Sequence, residues 1–595
     1  AAITNLGPRA GLTVASALLV DYVLTVAVSV SAGAQFAAVA LPALRGHEMQ
    51  VALVVVGVLM LLNLRGVKEA GTLFAIPTYL FVATVFATLA VGWVRVATGT
   101  LPPAETAELD VAPQEGFAAL GVDQGLMSLA IALLVLRAFA SGCAALTGVE
   151  AISNGVPAFR KPKGRNAATT LALLGTISAT FLMSILLLAR AADVHYVEFP
   201  ATQLLRDGVP VGEDYVQHPV LGQLAASVFS GFTPAVVLVA VVTGLILVLA
   251  ANTAFNGFPV LGSILARDGF LPLQLHTRGD RLAYSNGIVA LAGGAAALIA
   301  AFDAQVTRLI QLYIVGVFVS FTLSQLGMVR HWNRHLRTEP DPGERARMRR
   351  SRVVNGIGFG MTGLVLVIVL VSKFTRGAWI ALLAMAVVYA AMLGIRRHYD
   401  QVRDETALDD AGAAKALPSR VHEIVLISRL HKPTMRALAY ARASRPSVIE
   451  AVTVTGDPQE VADLRRGWEE MDMPVPLTVL DSPFREITRP VLGYVKSIRR
   501  ESPRDLVVVW VPEYVVGHWW EQLLHNQSAL RLKTRLLFSP GVVVASVPWQ
   551  LESAAGDAGR ARSEPLTARD VQVATRVEDT TPPTDGSDRG GATTC

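Results

Sequence analysis

Residues 10–33, GLTVASALLVDYVLTVAVSVSAGA, form an apolar and small-residue run interrupted by one acid, Asp21. A run of this length can cross a bilayer as a single helix, and the acid inside it restricts what the chain can be. Thr25 and Ser29 follow Asp21 at intervals of four. At the helical rise and pitch the three side chains stack along one stripe about 12 Å long. A carboxylate at mid-membrane costs a few kcal/mol or more unless it faces the protein interior, so its default reading is functional. A stripe of oxygens with no thiol or imidazole suits a hard monovalent cation or a proton. The other reading is a buried Asp satisfied by neighbouring backbone, with Thr and Ser bonding back to their own helix.

With 595 residues, 52% of them hydrophobic and 17% charged, and a mean hydropathy of +0.46, an ordinary soluble protein is excluded. The two cysteines, Cys143 and Cys595, exclude a disulfide framework and a paired-Cys metal site. The chain opens on AAITNLGPRAG with neither an initiator Met nor a signal peptide, which reads as an N-terminal truncation.

Ten spans are predicted: 10–41, 51–64, 72–97, 126–158, 168–190, 223–255, 286–302, 307–328, 353–372 and 377–395. Loop charges orient them. The segments 98–125 and 191–222 are rich in Asp and Glu, and read as external. FRKPKGRN at 159–166, the loop 264–285 and above all 330–352 are basic, and read as internal. The two sets alternate without contradiction, both termini fall in the cytoplasm, and Asp21 lies about halfway across. The run 223–255 is long enough to tilt or to include a lead-in helix. The run 126–158 mixes apolar residues with Gly142, Gly148, Glu150, Ser153, Asn154 and Gly155. It reads either as an interrupted helix whose freed backbone lines a cavity, or as a continuous helix packed closely through Gly and Ser. Arg137 within it snorkels, pairs with an acid or marks an external gate.

From about Leu417 short β-branched runs alternate with helical segments, the pattern of a doubly wound parallel sheet covered on both faces. The domain boundaries drawn are 1–397 for the membrane part, 415–551 for this α/β domain and 552–595 for a polar tail expected to be disordered.

LLVDYVLTVAVSVSAG (18–33), ALTGVEAISNGVPAF (145–159) and LIQLYIVGVFVSFTLSQLGM (309–328) resemble the amino acid–polyamine–organocation superfamily. Within it they resemble the KUP-type potassium and proton symporters, closest to the KimA-like branch. The resemblance implies a LeuT-type inverted-repeat fold with discontinuous first and sixth helices. The first helix here then matches the family's third, the fourth its broken sixth, and the family's first two transmembrane helices have no counterpart. It further implies that Asp21, Thr25, Ser29, Thr147 and Tyr313 line a potassium site and that Glu150 is the proton-coupling acid. Taken by themselves, Thr147 also reads as a cap on a helix break, Tyr313 as an apolar wall with a satisfied hydroxyl, and Glu150 as a partner of the basic loop after it.

The α/β domain resembles universal-stress-protein-like domains. The glycine signature of their nucleotide-binding forms is missing near DLVVVWVPEYVVGHW, which argues against ATP. The resemblance implies a regulatory domain, a homodimer formed through it and inhibition by a cyclic dinucleotide such as cyclic di-AMP. Trp519 and Trp520 read as an interface anchor or as core of their helix.

The function expected is uptake of potassium coupled to protons across a bacterial cytoplasmic membrane. It is not an enzyme, has no cofactor, and has lipid but no nucleic acid as partner. An amino acid or polyamine permease and a membrane-tethered sensor without transport are the alternatives.

Overall fold

The structure, a computed structural model, describes residues 2–66, 71–112, 131, 134–136, 138–139, 141–142, 152, 156, 159–212, 215–276, 284–374, 377–410, 412, 415–455, 457–482, 486–498, 500–516 and 528–551. It divides into two compact units, Ala1–Ala407 and Leu408–Cys595.

The first unit is helical. A short α1 (Ala2–Leu6) precedes α2 (Pro8–Ala40), which carries Asp21; Pro8 occupies its first turn, where no backbone N–H is needed. There follow α3 (Glu48–Leu64), α4 (Gly71–Ala97), α5 (Lys163–Ala191), α6 (Val220–Val228), α7 (Thr233–Arg267), α8 (Ser285–Ala301), α9 (Val306–Thr338), α10 (Pro342–Lys373) and α11 (Ala378–Glu405). Among the described residues seven helices are long and apolar enough to cross a membrane, and α3 and α8 are shorter apolar helices. The chain is a polytopic membrane protein. The run 126–158 lies almost wholly outside the described residues.

Two boundaries differ from the hydropathy reading. The run 223–255 is two helices: α6 ends at Val228, Gly231 takes a positive φ of 82°, and α7 then continues to Arg267 with Pro259 inside it. The lead-in helix is therefore separate, because glycine alone enters that conformation without strain. The segment 330–352, read as a loop, is mostly helical, as the last turns of α9 and the first of α10. Arginine is a good helix former, Pro342 sits in the first turn of α10, and Asp341 caps it by accepting the Glu344 amide at 2.8 Å. Hydropathy finds the apolar stretch of a helix and misses its polar extension.

The segments read as external meet each other. β1 (Asp110–Val111) pairs with β2 (Leu204–Arg206), which pairs with β3 (Val209–Pro210), all antiparallel. Beneath them Thr106 donates to the Gln223 side chain at 2.7 Å and the His195 amide donates to Thr106 at 2.9 Å. Segments that the charges assign to one side of the membrane thus lie on one side.

The first unit is built around α2. A larger share of its apolar stretch is buried than of any other described span. It contributes Val26, Ala27, Val30 and Ala34 to a core shared with α3, α7 and α8, and Leu24 to a second core shared with α9, α10 and α11. Gly33 and Gly244 bring α2 against α7: a Cβ on either would lie 3.5 Å from the other's carbonyl oxygen. By contrast α10 exposes Leu364, Val367 and Val371, as a lipid-facing helix does.

The second unit is a five-stranded, all-parallel sheet. Its strands are β4 (Val421–Leu426), β5 (Val448–Thr455), β6 (Leu477–Asp481), β7 (Leu506–Val515) and β8 (Val542–Gln550), in the order β6-β5-β4-β7-β8. Helices α12 (Lys432–Ala443) and α13 (Pro458–Glu470) cover one face through Ala437, Leu438, Ala441 and Trp468. The other face is covered by α14 (Thr488–Ser497) and α15 (Ser528–Leu536), through Val491, Val495, Leu532 and Leu536. Period-two alternation along β4 and β5 sends Ile424 and Val452 to the second layer and Val425 and Ala451 to the first.

Candidate ion site on the central helix

Asp21 is 1% exposed, on the side of α2 that meets α9. The helices approach there because residue 316 is glycine: a Cβ on Gly316 would lie 3.1 Å from the Ala17 carbonyl oxygen and 3.5 Å from the Asp21 Cβ. The next residue, Tyr22, is turned toward α7, where its ring fills the space beside Gly257; a Cβ there would come within 2.6 Å of the ring. Two neighbouring side chains are thus fixed by two glycines on two different helices, which sets the rotation of α2 about its axis.

One turn on, the Thr25 hydroxyl lies 2.9 Å from the Asp21 carbonyl oxygen and 3.2 Å from the Tyr313 hydroxyl. A hydroxyl has one proton to give. Thr25 is the donor, to the Asp21 carbonyl or to the Tyr313 hydroxyl. The back-bonding expected of a helical threonine is therefore present, and a contact across the helix seam is added to it. Tyr313 is 8% exposed, and Ser29 is half-buried one further turn along α2.

Of the residues expected to line one site, Asp21, Thr25 and Tyr313 come together on the seam between α2 and α9. Ser29 continues the stripe, while Thr147 and Glu150 lie outside the described residues. Two residues on the same face of α9 were not selected from the sequence. Gly316 and Ser320 stand three and seven positions after Tyr313, and Ser320 is 6% exposed. The 3-and-4 spacing of Tyr313, Gly316 and Ser320 was a usable signal.

The second unit holds its own buried acids. Glu450, 7% exposed on β5, receives hydrogen bonds from Tyr494 at 2.6 Å and Thr478 at 2.9 Å and pairs with His422 at 2.6 Å. Burial alone would raise its pKa, but these three contacts outweigh it and hold the carboxyl below its ordinary value. The same contact, with burial as the larger cause, pushes the Tyr494 hydroxyl up to about 12. Glu423 on β4, 2% exposed, accepts from Ser444 at 2.5 Å and from the Trp510 indole at 2.8 Å on the opposite face of the sheet. Both acids stand at or near the amino ends of their strands, away from the carboxyl edge where parallel sheets bind ligands.

At that carboxyl edge, beside the point where the strand order reverses between β4 and β7, His431 and the Tyr514 hydroxyl are 2.5 Å apart. Arg436 lies 4.2 Å from the centre of the Trp549 ring, and Lys533 pairs with Glu513 at 2.6 Å.

Residues 2–393 match the amino acid permease family, and residues 420–549 match the KimA potassium transporter C-terminal domain. Potassium transporter KimA of Bacillus subtilis (strain 168) is 35% identical over 551 residues, 92% of this chain and 83% of that protein. A membrane unit of the one kind is joined in this chain to a sheet domain of the other, and the chain belongs to the KimA family of transporters within the amino acid permeases.

Proposed function

We propose that the chain carries potassium into the cell across the cytoplasmic membrane, with Asp21 as the anionic ligand of a site shared with Thr25, Ser29, Thr147 and Tyr313. The observation that carries this reading is the burial of Asp21 on the most enclosed described span, one turn from the paired hydroxyls of Thr25 and Tyr313. A partly dehydrated potassium ion needs several oxygens in place of water, and one carboxylate offsets part of its desolvation. The relative's name points to the same cargo. Glu150 is the acid proposed to couple the movement to protons. Ten spans in a LeuT-type arrangement, with both ends of this chain in the cytoplasm, complete the reading.

The test is growth on limiting potassium of a host without its own uptake systems, with rubidium uptake measured beside it. The parent chain rescues growth and Asp21→Asn does not. Equal rescue by Asp21→Asn removes the Asp21 assignment. Failure of the parent, with amino acid uptake in its place, transfers the chain to the permease reading that its membrane unit's family name also favours. Acidifying the outside accelerates uptake if protons drive it; an unchanged rate removes the coupling to protons.

The α/β unit, of the universal-stress-protein-like kind, is proposed to form a homodimer and to receive a cyclic dinucleotide such as cyclic di-AMP at its carboxyl edge. There Arg436 and Lys533 offer cations, and the Trp549 ring an aromatic face, to phosphates and bases. Calorimetry of this unit against cyclic di-AMP and ATP decides the ligand, and binding of ATP alone refutes the argument from its missing glycine signature.

A further inference from the structure

Of the chain's basic segments one carries the largest excess of positive charge. Between residues 330 and 352 eight arginines stand against three acids, Glu339, Asp341 and Glu344, an excess of five that equals the formal net charge of the whole chain. These residues form a helical extension rather than a loop. The apolar stretch of α9 ends at Val329 and the helix runs on to Thr338; α10 begins at Pro342 and turns apolar only at Val353. Each arm therefore projects about 12–16 Å beyond its apolar stretch.

The arms are held together at their base. The Trp332 indole donates to the Asn355 side chain at 2.9 Å, and Asn355 donates to Gln325 at 2.7 Å. Arg352 donates to Asn333 at 3.3 Å. Gly358 lets the helices close over this contact, since a Cβ there would lie 3.1 Å from the Gln325 amide carbon. Trp332 stands at the end of the apolar stretch, where an indole sits between hydrocarbon and headgroups.

On this frame Arg330, Arg334 and Arg337 share one stripe of α9, and Arg345, Arg349 and Arg352 share one stripe of α10, each spaced by four and three. Seven of the eight arginines are exposed and Arg345 is half-buried. Among the described residues Arg347 alone of them forms an ion pair, with Glu344 at 2.9 Å.

We infer that the paired ends of α9 and α10 bind the phosphate headgroups of anionic phospholipids in the adjoining leaflet, with Arg330, Arg334, Arg349 and Arg352 as the principal contacts. Guanidinium groups bind phosphate by paired hydrogen bonds, and those of Arg330 and Arg352 stand where the apolar stretches end. The arginines farther out add attraction that decays over about 8 Å at physiological salt. A rigid two-helix frame holds the cations in register, so less side-chain and backbone freedom is lost on binding than for a polybasic loop. Because α9 also carries Tyr313 and Gly316, a lipid at its base bears on the helix that faces Asp21.

The experiment is native mass spectrometry of the purified full chain, delipidated and then offered phosphatidylglycerol or phosphatidylcholine of matched acyl chains. The parent retains several-fold more phosphatidylglycerol, and the preference falls as salt rises. Replacing Arg330, Arg334, Arg349 and Arg352 together by Gln removes the preference, whereas replacing the same four by Lys keeps most of it. Removing four exposed arginines of the second unit, Arg465, Arg466, Arg489 and Arg504, leaves it unchanged. A glutamine variant that melts like the parent and still prefers phosphatidylglycerol overturns the proposal. So does a loss of preference as large in the second-unit control, or a parent with no preference whose α9 and α10 arginines cross-link to an acidic polypeptide. Lipid retention is read without transport, so this outcome is independent of whether the chain carries potassium.

Discussion

Asp21 and Glu450 are both buried acids, and their surroundings differ. Glu450 is gripped by a histidine, a tyrosine and a threonine from β4, α14 and β6. It fastens a sheet to the helix that covers it. Asp21 sits on a seam between two membrane helices, with Gly316 against it and the Thr25–Tyr313 hydroxyl pair one turn away. Burial therefore does not by itself mark a site. What separates the two acids is the element each stands on. In the sheet domain a buried carboxylate can recruit donors from the strands beside it and the helix above it. In a membrane helix the same group is costly wherever it is placed, and persists where its charge is used.

Substituting each acid and reading both uptake and melting tests this contrast most directly. Asp21→Asn, nearly isosteric, lowers rubidium uptake at least about tenfold, equivalent to ~1.4 kcal/mol, and leaves the melting of the second unit unchanged. Glu450→Gln does the reverse. It disturbs three hydrogen bonds to a charged group, destabilises the second unit by about 1–3 kcal/mol and leaves the apparent affinity for rubidium where it was. If Glu450→Gln abolishes uptake in a fully folded chain, the acid of the sheet is more than a fastener.

Next in size is Gly316→Val. The new side chain meets the Ala17 carbonyl and forces α9 away from α2, at about 1–3 kcal/mol for overpacking a seam. Uptake falls several-fold in chains that still insert, and Gly316→Ala falls between Val and the parent. An unchanged rate with Val would place the working face of Asp21 elsewhere. Tyr313→Phe is gentler. It removes the hydroxyl facing Thr25 and keeps the ring, for about 0.5–1.5 kcal/mol, which is read as a rise in the concentration for half-maximal uptake with little change in maximal rate.

Much of this organisation was legible in the residues. The five strands and their order of appearance follow from β-branched runs, and α2 from the length of its apolar stretch. The pairing of Thr25 with Tyr313, 288 positions apart, is a tertiary fact that no local period encodes; the resemblance implies only that both line one site. Gly316 does not stand out in the sequence because a glycine in a membrane helix has many uses, and only the opposite helix shows which. Glu423 and Glu450 are not marked by the sequence, because an acid inside a strand reads as an exposed alternate position until its donors are seen. The polar ends of α9 and α10 read as a loop in the sequence because hydropathy measures the bilayer and not the helix.

The smallest expected effect concerns pH, and it separates the two acids in a soluble measurement. Glu450 is held below its ordinary pKa of 4.5 in the folded unit. A group with a depressed folded pKa stabilises the fold at pH above its unfolded value and loses that contribution as pH falls through the folded value. Urea unfolding of Leu408–Cys595 should therefore show a level plateau above about pH 5 and a decline below the ordinary carboxylate range. Glu450→Gln lies lower on the plateau and declines less steeply on the acid side, because its amide has no proton to gain there. Parallel acid limbs for parent and variant would mean that His422, Thr478 and Tyr494 hold the side chain without holding its charge, and the contrast with Asp21 would then rest on packing alone.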